Sequence, residues 1–357
     1  MASRPPAILL RPPFQEPKTA VGITGHRNRI HRRGTALIWN VDARFRSRTA
    51  SSACRDHVPV IPLGTVAVRA VSIVTDLGCF PTRSAHLMKG HPMPPNGTST
   101  RDGLRATAVV LAVILQTVAG GIGGLGAWGE SVGVVANSYP QPLLPSGAAF
   151  SIWSLIYVAT LAYAIRQALP QQRRRPLHRR TGWWIAAAGV LNAAWIASFA
   201  HRLIPLSELV IVLMLTCLLI AYARLEPADG WPDRLFTHLP VALYAGWVSI
   251  ATVVGAVTVA VWAGARVSAG GAVAVLAVTV VLVGWVIARR RVVLAYAAPV
   301  VWAAVWVAVA ADGLVRYSAL AAALLLAAWT GWRIARDPDR VGVAAGLATI
   351  GGRCLPG

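Results

Sequence analysis

The sequence predicts an all-α fold, a polytopic transmembrane helix bundle of about eight helices. Three observations predict it. The 357 residues are 56% hydrophobic and only 13% charged, where a soluble chain carries about 25% charge. Mean hydropathy is +0.57. From Leu104 onward, long apolar runs alternate with short gaps, and each run is long enough to cross a hydrocarbon layer of about 30 Å.

Residues 1–100 differ from the rest. They are rich in Arg, Pro, Ser and Thr, with no sustained helical period. The best apolar stretch, 58–80, is interrupted by Pro62, Arg69 and Asp76. No ordered signal-peptide pattern is present. Two readings stand for this region: a basic cytoplasmic arm without a fold, or sequence upstream of a true start at Met88 or Met93.

Eight spans are expected near 105–126, 148–168, 182–200, 206–225, 239–261, 269–288, 292–311 and 316–333, the last being short and flanked by Arg316 and Arg333. Gaps with Arg or Gly stop one helix and start the next. Residues 337–357 are expected to be a cytoplasmic tail. Arginine falls preferentially in alternate gaps: Arg101 and Arg105 before span one, Arg173 to Arg180 after span two, Arg289 to Arg291 after span six, and Arg333, Arg336 and Arg340 at the end. The positive-inside rule then puts both termini in the cytoplasm, with a multi-pass plasma-membrane location. Only Lys18 and Lys89 are lysines, and this Ala- and Arg-rich composition points to a GC-rich bacterial source.

The net charge of +21 is not a nucleic-acid footprint. Residues 1–101 hold 15 Lys and Arg against 4 acids, leaving 19 and 9 of the totals of 34 and 13 for the rest. There the arginines sit in gaps and set topology. The expected partners are the lipid bilayer and a hydrophobic small molecule. Cys54, Cys79, Cys217 and Cys354 have neither metal nor disulfide spacing. In span one, Gly120 and Gly124 form a G-x-x-x-G pair. That spacing suits close packing inside the bundle or a homodimer seam.

The aromatic pattern carries the functional reading. Pro145 and a Ser-Gly turn lead into span two, where Trp153 and Tyr157 are four apart and share a face. Asn192, Trp195 and Phe199 share a face of span three, and Tyr244, Trp247 and Ala251 one of span five. Together these predict an aromatic-walled pocket with one amide, Asn192, and one hydroxyl, Ser249. An amide in hydrocarbon costs about 2–7 kcal/mol unless paired, so Asn192 must face the bundle. The plainer alternative is that the rings fill a core and Asn192 joins two helices. Trp128, Trp183, Trp184, Trp231, Trp262 and Trp332 lie near span ends, as an interfacial belt requires.

Three segments together resemble the TspO/MBR family, the tryptophan-rich sensory proteins related to the mitochondrial translocator protein. These are the Pro145 loop with W-x-x-x-Y at 153–157, Leu191-Asn192-Ala193-Ala194-Trp195, and Gly246-Trp247-Val248-Ser249-Ile250-Ala251-Thr252. They fall in spans two, three and five, as in that five-helix fold. The resemblance covers about 104–263, leaving 264–336 as three additional spans. Two departures stand out: the loop has a single Pro145, and Gly255 and Ala256 stand where an Asn commonly follows the fifth-helix motif.

The resemblance implies an intramembrane sensor or regulator. It also implies a tetrapyrrole ligand, porphyrin or haem, or a similar hydrophobe, with no cofactor required. Its site residues would be Trp153, Tyr157, Asn192, Trp195, Tyr244, Trp247 and Ser249, with Pro145 at the loop that leads in. The alternative function is a facilitator that moves a small hydrophobic solute. Acidic groups are scarce in the spans, Glu208 lying near a span end, which argues against a proton-coupled pump. His201 and His238 also fall at span ends. No catalytic or metal constellation is visible, so an enzyme is not expected.

Overall fold

The computed structural model describes residues 100–337. The expectations for the basic arm and for the tail past Asp337 lie outside the described residues. Among these residues all regular structure is helical, and eight helices are long and apolar enough to cross a membrane. The protein is a multi-pass membrane protein. The helices are α1 (Thr100–Leu125), α2 (Ile152–Ala168), α3 (Pro176–Ala200), α4 (Ile204–Ala223), α5 (Leu239–Trp262), α6 (Ala269–Arg289), α7 (Val293–Ala310) and α8 (Gly313–Arg336).

All eight coincide with the expected spans, most ends agreeing within a few residues. The start of α3 is earlier than hydropathy suggests, because Pro176 sits at its N-terminus, where a missing N–H costs nothing. The last helix runs past both of its flanking arginines. The Arg316 side chain donates to the Ala308 and Ala311 carbonyls at 3.3 and 2.9 Å, and Arg333 donates to the Ala288 carbonyl at 3.0 Å. Their apolar stems stay on the helix while their charge is satisfied at its ends.

Helices α1 to α5 close a ring. The neighbours are α1 with α2 and α3, α3 with α4, α4 with α5, and α5 with α2. The other three attach to this ring mainly through α7, which packs on α5, with α8 on α7 and α6 on α8. Gly246 makes the α5–α7 contact: a Cβ there would collide with the Tyr296 carbonyl and the Pro299 ring. Within the bundle, Gly120 and Gly124 do not pack against the same neighbour. Gly120 lies beneath the Tyr157 ring inside the bundle, while nothing lies within 4 Å of a Cβ at Gly124.

One end of the ring is tied by arginines. Asp102 pairs with Arg105 at 3.0 Å and with Arg179 through both oxygens, at 2.9 and 2.5 Å. Arg105 also donates to the Arg173 carbonyl. Asp233, fully buried, takes Arg166 at 2.7 Å and Arg175 at 2.6 and 2.7 Å. The Arg175 guanidinium, donating to Asp233, is held above its ordinary pKa. The arginines expected to signal topology are thus also structural clamps, each holding separate helices or loops.

Candidate functional site

The site begins with the loop before α2. Pro145 ends the preceding chain, and Gly147–Ser151 forms a 3₁₀ turn that runs into α2 at Ile152. Helix α7 holds this turn. The Ser146 N–H donates to the Trp306 carbonyl at 3.2 Å, and the Trp302 indole N–H donates to the Ala149 carbonyl at 3.0 Å. Upstream, the Gln141 amide donates to Thr258 Oγ1 and the Val254 carbonyl of α5, at 2.7 and 3.1 Å. The lead-in is therefore fixed by helices on two sides.

That register places Trp153 among four other rings. It stacks on Tyr157 and on Trp195, both at 5.6 Å between centroids. It meets Tyr244 and Trp247 edge to face, both at 6.1 Å. Trp195 continues the stack to Phe199 at 5.6 Å, and Trp247 meets Phe150 at 6.4 Å. Offset-stacked and T-shaped pairs are the geometries that an aromatic quadrupole favours. The rings predicted from spans two, three and five do converge.

They do not all face one hollow. A cavity of about 60 Å³ lies beside the cluster, lined by Pro145, Phe150, Trp153, Trp195, Phe199 and Trp247, with Ile204, Ser207, Glu208 and Ile211 of α4, Ile250, Ala251, Val254 and Gly255 of α5, and Ala303 of α7. Tyr157, Asn192 and Tyr244 lie behind Trp153, outside the cavity wall. The Tyr157 hydroxyl donates to Asn192 Oδ1 at 3.4 Å. The Tyr244 hydroxyl donates to Gln116 Oε1 at 3.2 Å, and Gln116 donates to Thr160 at 2.9 Å. Together with Gln116 of α1 and Thr160 of α2, these residues make polar links among α1, α2, α3 and α5.

Ser249 is a correction. It was expected to give the pocket a hydroxyl, but it faces α7, bonding the Ala245 carbonyl at 2.8 Å and the Tyr296 hydroxyl at 3.0 Å. The reason is angular. Two residues along a helix turn the side chain by about 200°, so Trp247 and Ser249 cannot share a wall.

Glu208 and Gly255 lie in the wall and are not among the residues that sequence reading assigns to the site. The Glu208 carboxyl crosses from α4 toward α5, where Gly255 leaves room for it: a Cβ at 255 would collide with Oε2. Glu208 has no hydrogen-bond or ion-pair partner among the described residues. Glu208 is half-buried, whereas the indole N–H of Trp247 is fully buried and has no partner among the described residues. No sequence signal joins Glu208 to Gly255, which stand on different helices 47 positions apart.

The cavity lies at the end of the bundle opposite the Asp102 and Asp233 clamps, since α2 and α4 begin there and α3 and α5 end there. A short helix, Val132–Asn137, crosses this end, with Val132 and Ala136 in the wall. Arg202 holds it, bonding Glu130 through both oxygens at 2.9 and 2.6 Å and Ser138 Oγ at 3.0 Å. The Arg202 guanidinium keeps the Glu130 carboxyl below its ordinary pKa. Arg202 does this from a left-handed backbone, φ 59°, which costs a non-glycine residue about 1–2 kcal/mol.

Comparison with known families decides the relationship. A family model described as TSPO-like protein matches residues 104–332, well over half of the chain. The chain belongs to the TSPO-like family. The match extends past α5 and takes in α6, α7 and most of α8, in keeping with the part α7 plays in the site of this TSPO-like protein. No curated protein and no solved structure gives a significant match.

Proposed function

We propose that this TSPO-like protein is a membrane receptor or sensor that binds a flat, largely apolar small molecule in the cavity beside Trp153. The observation that carries this reading is the wall itself. Three tryptophans and two phenylalanines border one hollow within the bundle, and apolar walls with a few polar groups are the usual make-up of a ligand site. A tetrapyrrole is the ligand class that family resemblance favours, and the ring faces of Trp153 and Trp195 suit its plane.

The fit has two limits that shape the proposal. At about 60 Å³ the hollow holds a few waters, against about 150 Å³ for a cavity that takes benzene, so a ligand ring enters only as the wall side chains move apart, and a porphyrin only with a wider parting of the helices. The wall contains no His, Cys, Met or Tyr, so an iron in the hollow would have no axial side chain from it. The metal-free ring is therefore the better fit. Nothing in the wall forms a nucleophile–base pair, and we read the protein as a binder and not as an enzyme.

The receptor reading is favoured over a facilitator by the far end of the ring, where the Asp102 and Asp233 clamps join α1, α2, α3 and the segment before α5. A transport path would have to break buried ion pairs there. Titration of the purified protein with protoporphyrin, followed by tryptophan fluorescence, tests the proposal. Saturable quenching that weakens at least tenfold in Trp153→Ala supports it, while linear, non-saturating quenching overturns it.

A further inference from the structure

Glu208 gives the cavity a chemical preference that the aromatic rings alone do not. It sits four residues into α4, about 6 Å along the axis from the helix start. Apart from the unpartnered Trp247 indole N–H, the rest of the wall is apolar or already bonded. Ser207 donates to the Ile204 carbonyl at 2.8 Å, and Thr258 donates to the Val254 carbonyl at 3.0 Å while accepting from Gln141. Arg202, on the loop before α4, is engaged by Glu130 and Ser138. The carboxyl is thus the one acidic group of the wall, with no cation or donor among the described residues to answer it.

A half-buried carboxyl without a partner is costly to ionise, so a cation that enters the hollow is what would stabilise its charged form, and such groups in membrane spans mark sites where a partner arrives. Gly255 adds a second observation. A side chain at 255 would occupy the place of the Glu208 carboxyl, so two helices together make the space that lets this group reach the hollow. Glycine in mid-helix otherwise costs about 1 kcal/mol relative to alanine in soluble helices.

We infer that the cavity selects hydrophobic cations: a compact ring system bearing a protonated nitrogen, whose N–H donates to the Glu208 carboxylate while its ring packs on Trp153, Trp195 and Trp247. The inference rests on the pocket reading above and narrows its ligand class. The tryptophan faces add cation–π attraction for the same charge. The buried Trp247 N–H can serve an acceptor on the same ligand. A porphyrin entering with its carboxylates foremost would meet like charge, whereas one keeping them at the mouth would not.

The test uses three probes with one ring and different charge: 1-naphthylmethylammonium, 1-naphthylmethanol and 1-naphthoate. Binding is measured by calorimetry to the full chain in nanodiscs of zwitterionic phosphatidylcholine at neutral pH. The ammonium is expected to bind at least about tenfold more tightly than the alcohol or the carboxylate, the scale of one charge-assisted hydrogen bond. In Glu208→Gln the preference for the ammonium over the alcohol should disappear; Glu208→Asp should keep part of it. Equal binding of ammonium and alcohol, or an ammonium affinity untouched by Glu208→Gln, overturns the cation assignment and leaves the cavity reading intact. If none of the three binds while thermal unfolding shows the protein folded, the cavity reading falls and this inference falls with it.

Discussion

Trp153 and Trp195, on adjacent turns of the site but on helices α2 and α3, stack with centroids 5.6 Å apart and planes inclined by 28°. This pair turns the predicted convergence of aromatic residues into a wall with one face toward the cavity. The contacts of each ring rank the consequences of removing it.

Trp153 meets four rings, whereas Trp247 meets two, Phe150 and Trp153. Each aromatic pair contributes about 0.5–1.5 kcal/mol beyond its buried area. Trp153→Leu should therefore lower thermal stability in detergent more than Trp247→Leu, by about 1–3 kcal/mol for the two additional pairs. Equal losses would show that the stack is not what stabilises this end of the bundle.

The polar seam behind Trp153 should separate stability from binding. Tyr244→Phe removes the hydroxyl bonded to Gln116 and should cost about 0.6 kcal/mol, the average for hydrogen bonds between membrane helices, and at most about 1.7. Ligand affinity should stay within twofold, because that hydroxyl lies outside the cavity wall. The same holds for Ser249→Ala, which loses the bonds to the Ala245 carbonyl and the Tyr296 hydroxyl, both away from the cavity. Fluorescence titration of both variants checks this; a large loss of affinity in either would return these hydroxyls to the site.

Sequence periodicity made much of this legible and left a definable part out. The eight helices follow from apolar length and alternating arginines, and Trp153, Tyr157, Trp195, Tyr244 and Trp247 follow from three- and four-residue spacings within helices. The fifth-helix motif misplaces Ser249: it lies two positions from Trp247 in the chain and about 200° away on the helix. Glu208 and Gly255, like the Asp233 clamp with Arg166 and Arg175, are pairings between distant segments. Periodicity reads one helix at a time and carries no signal for such pairs.

The Asp233 clamp should be among the most sensitive points of the fold. Asp233→Asn leaves Arg166 and Arg175 without their shared carboxylate at a fully buried position. Breaking a buried pair by removing one partner costs about 3–5 kcal/mol. The partial exposure of both arginines, 16% and 27% for their side chains, places the expected loss at the low end of that range. Thermal unfolding of the variant measures it; a loss under about 1 kcal/mol, as for a surface pair, would mean the clamp is solvated.

Acid should loosen the helix over the cavity mouth, but only at low pH. The folded-state pKa of Glu130 is depressed by Arg202, so the pairing contributes above the ordinary glutamate pKa and is lost as pH falls through the lowered value. Protection of Val132–Asn137 from hydrogen exchange, taken relative to the intrinsic rate at each pH, should therefore be steady through mildly acidic conditions and fall below the usual carboxylate range. Glu130→Gln should show the lowered protection at neutral pH. Protection that falls already near neutrality in the unaltered protein would contradict the assignment.

The cavity itself is tested most directly by filling it without removing any of its rings. Ala251 lines the hollow, and in Ala251→Phe the added ring should occupy it. Measured by saturable tryptophan quenching with protoporphyrin and by calorimetry with 1-naphthylmethanol, the variant should remain folded and lose at least tenfold in affinity for both. Unchanged affinity for both ligands in a folded Ala251→Phe protein would contradict the account, for the ligands would then bind somewhere other than beside Trp153.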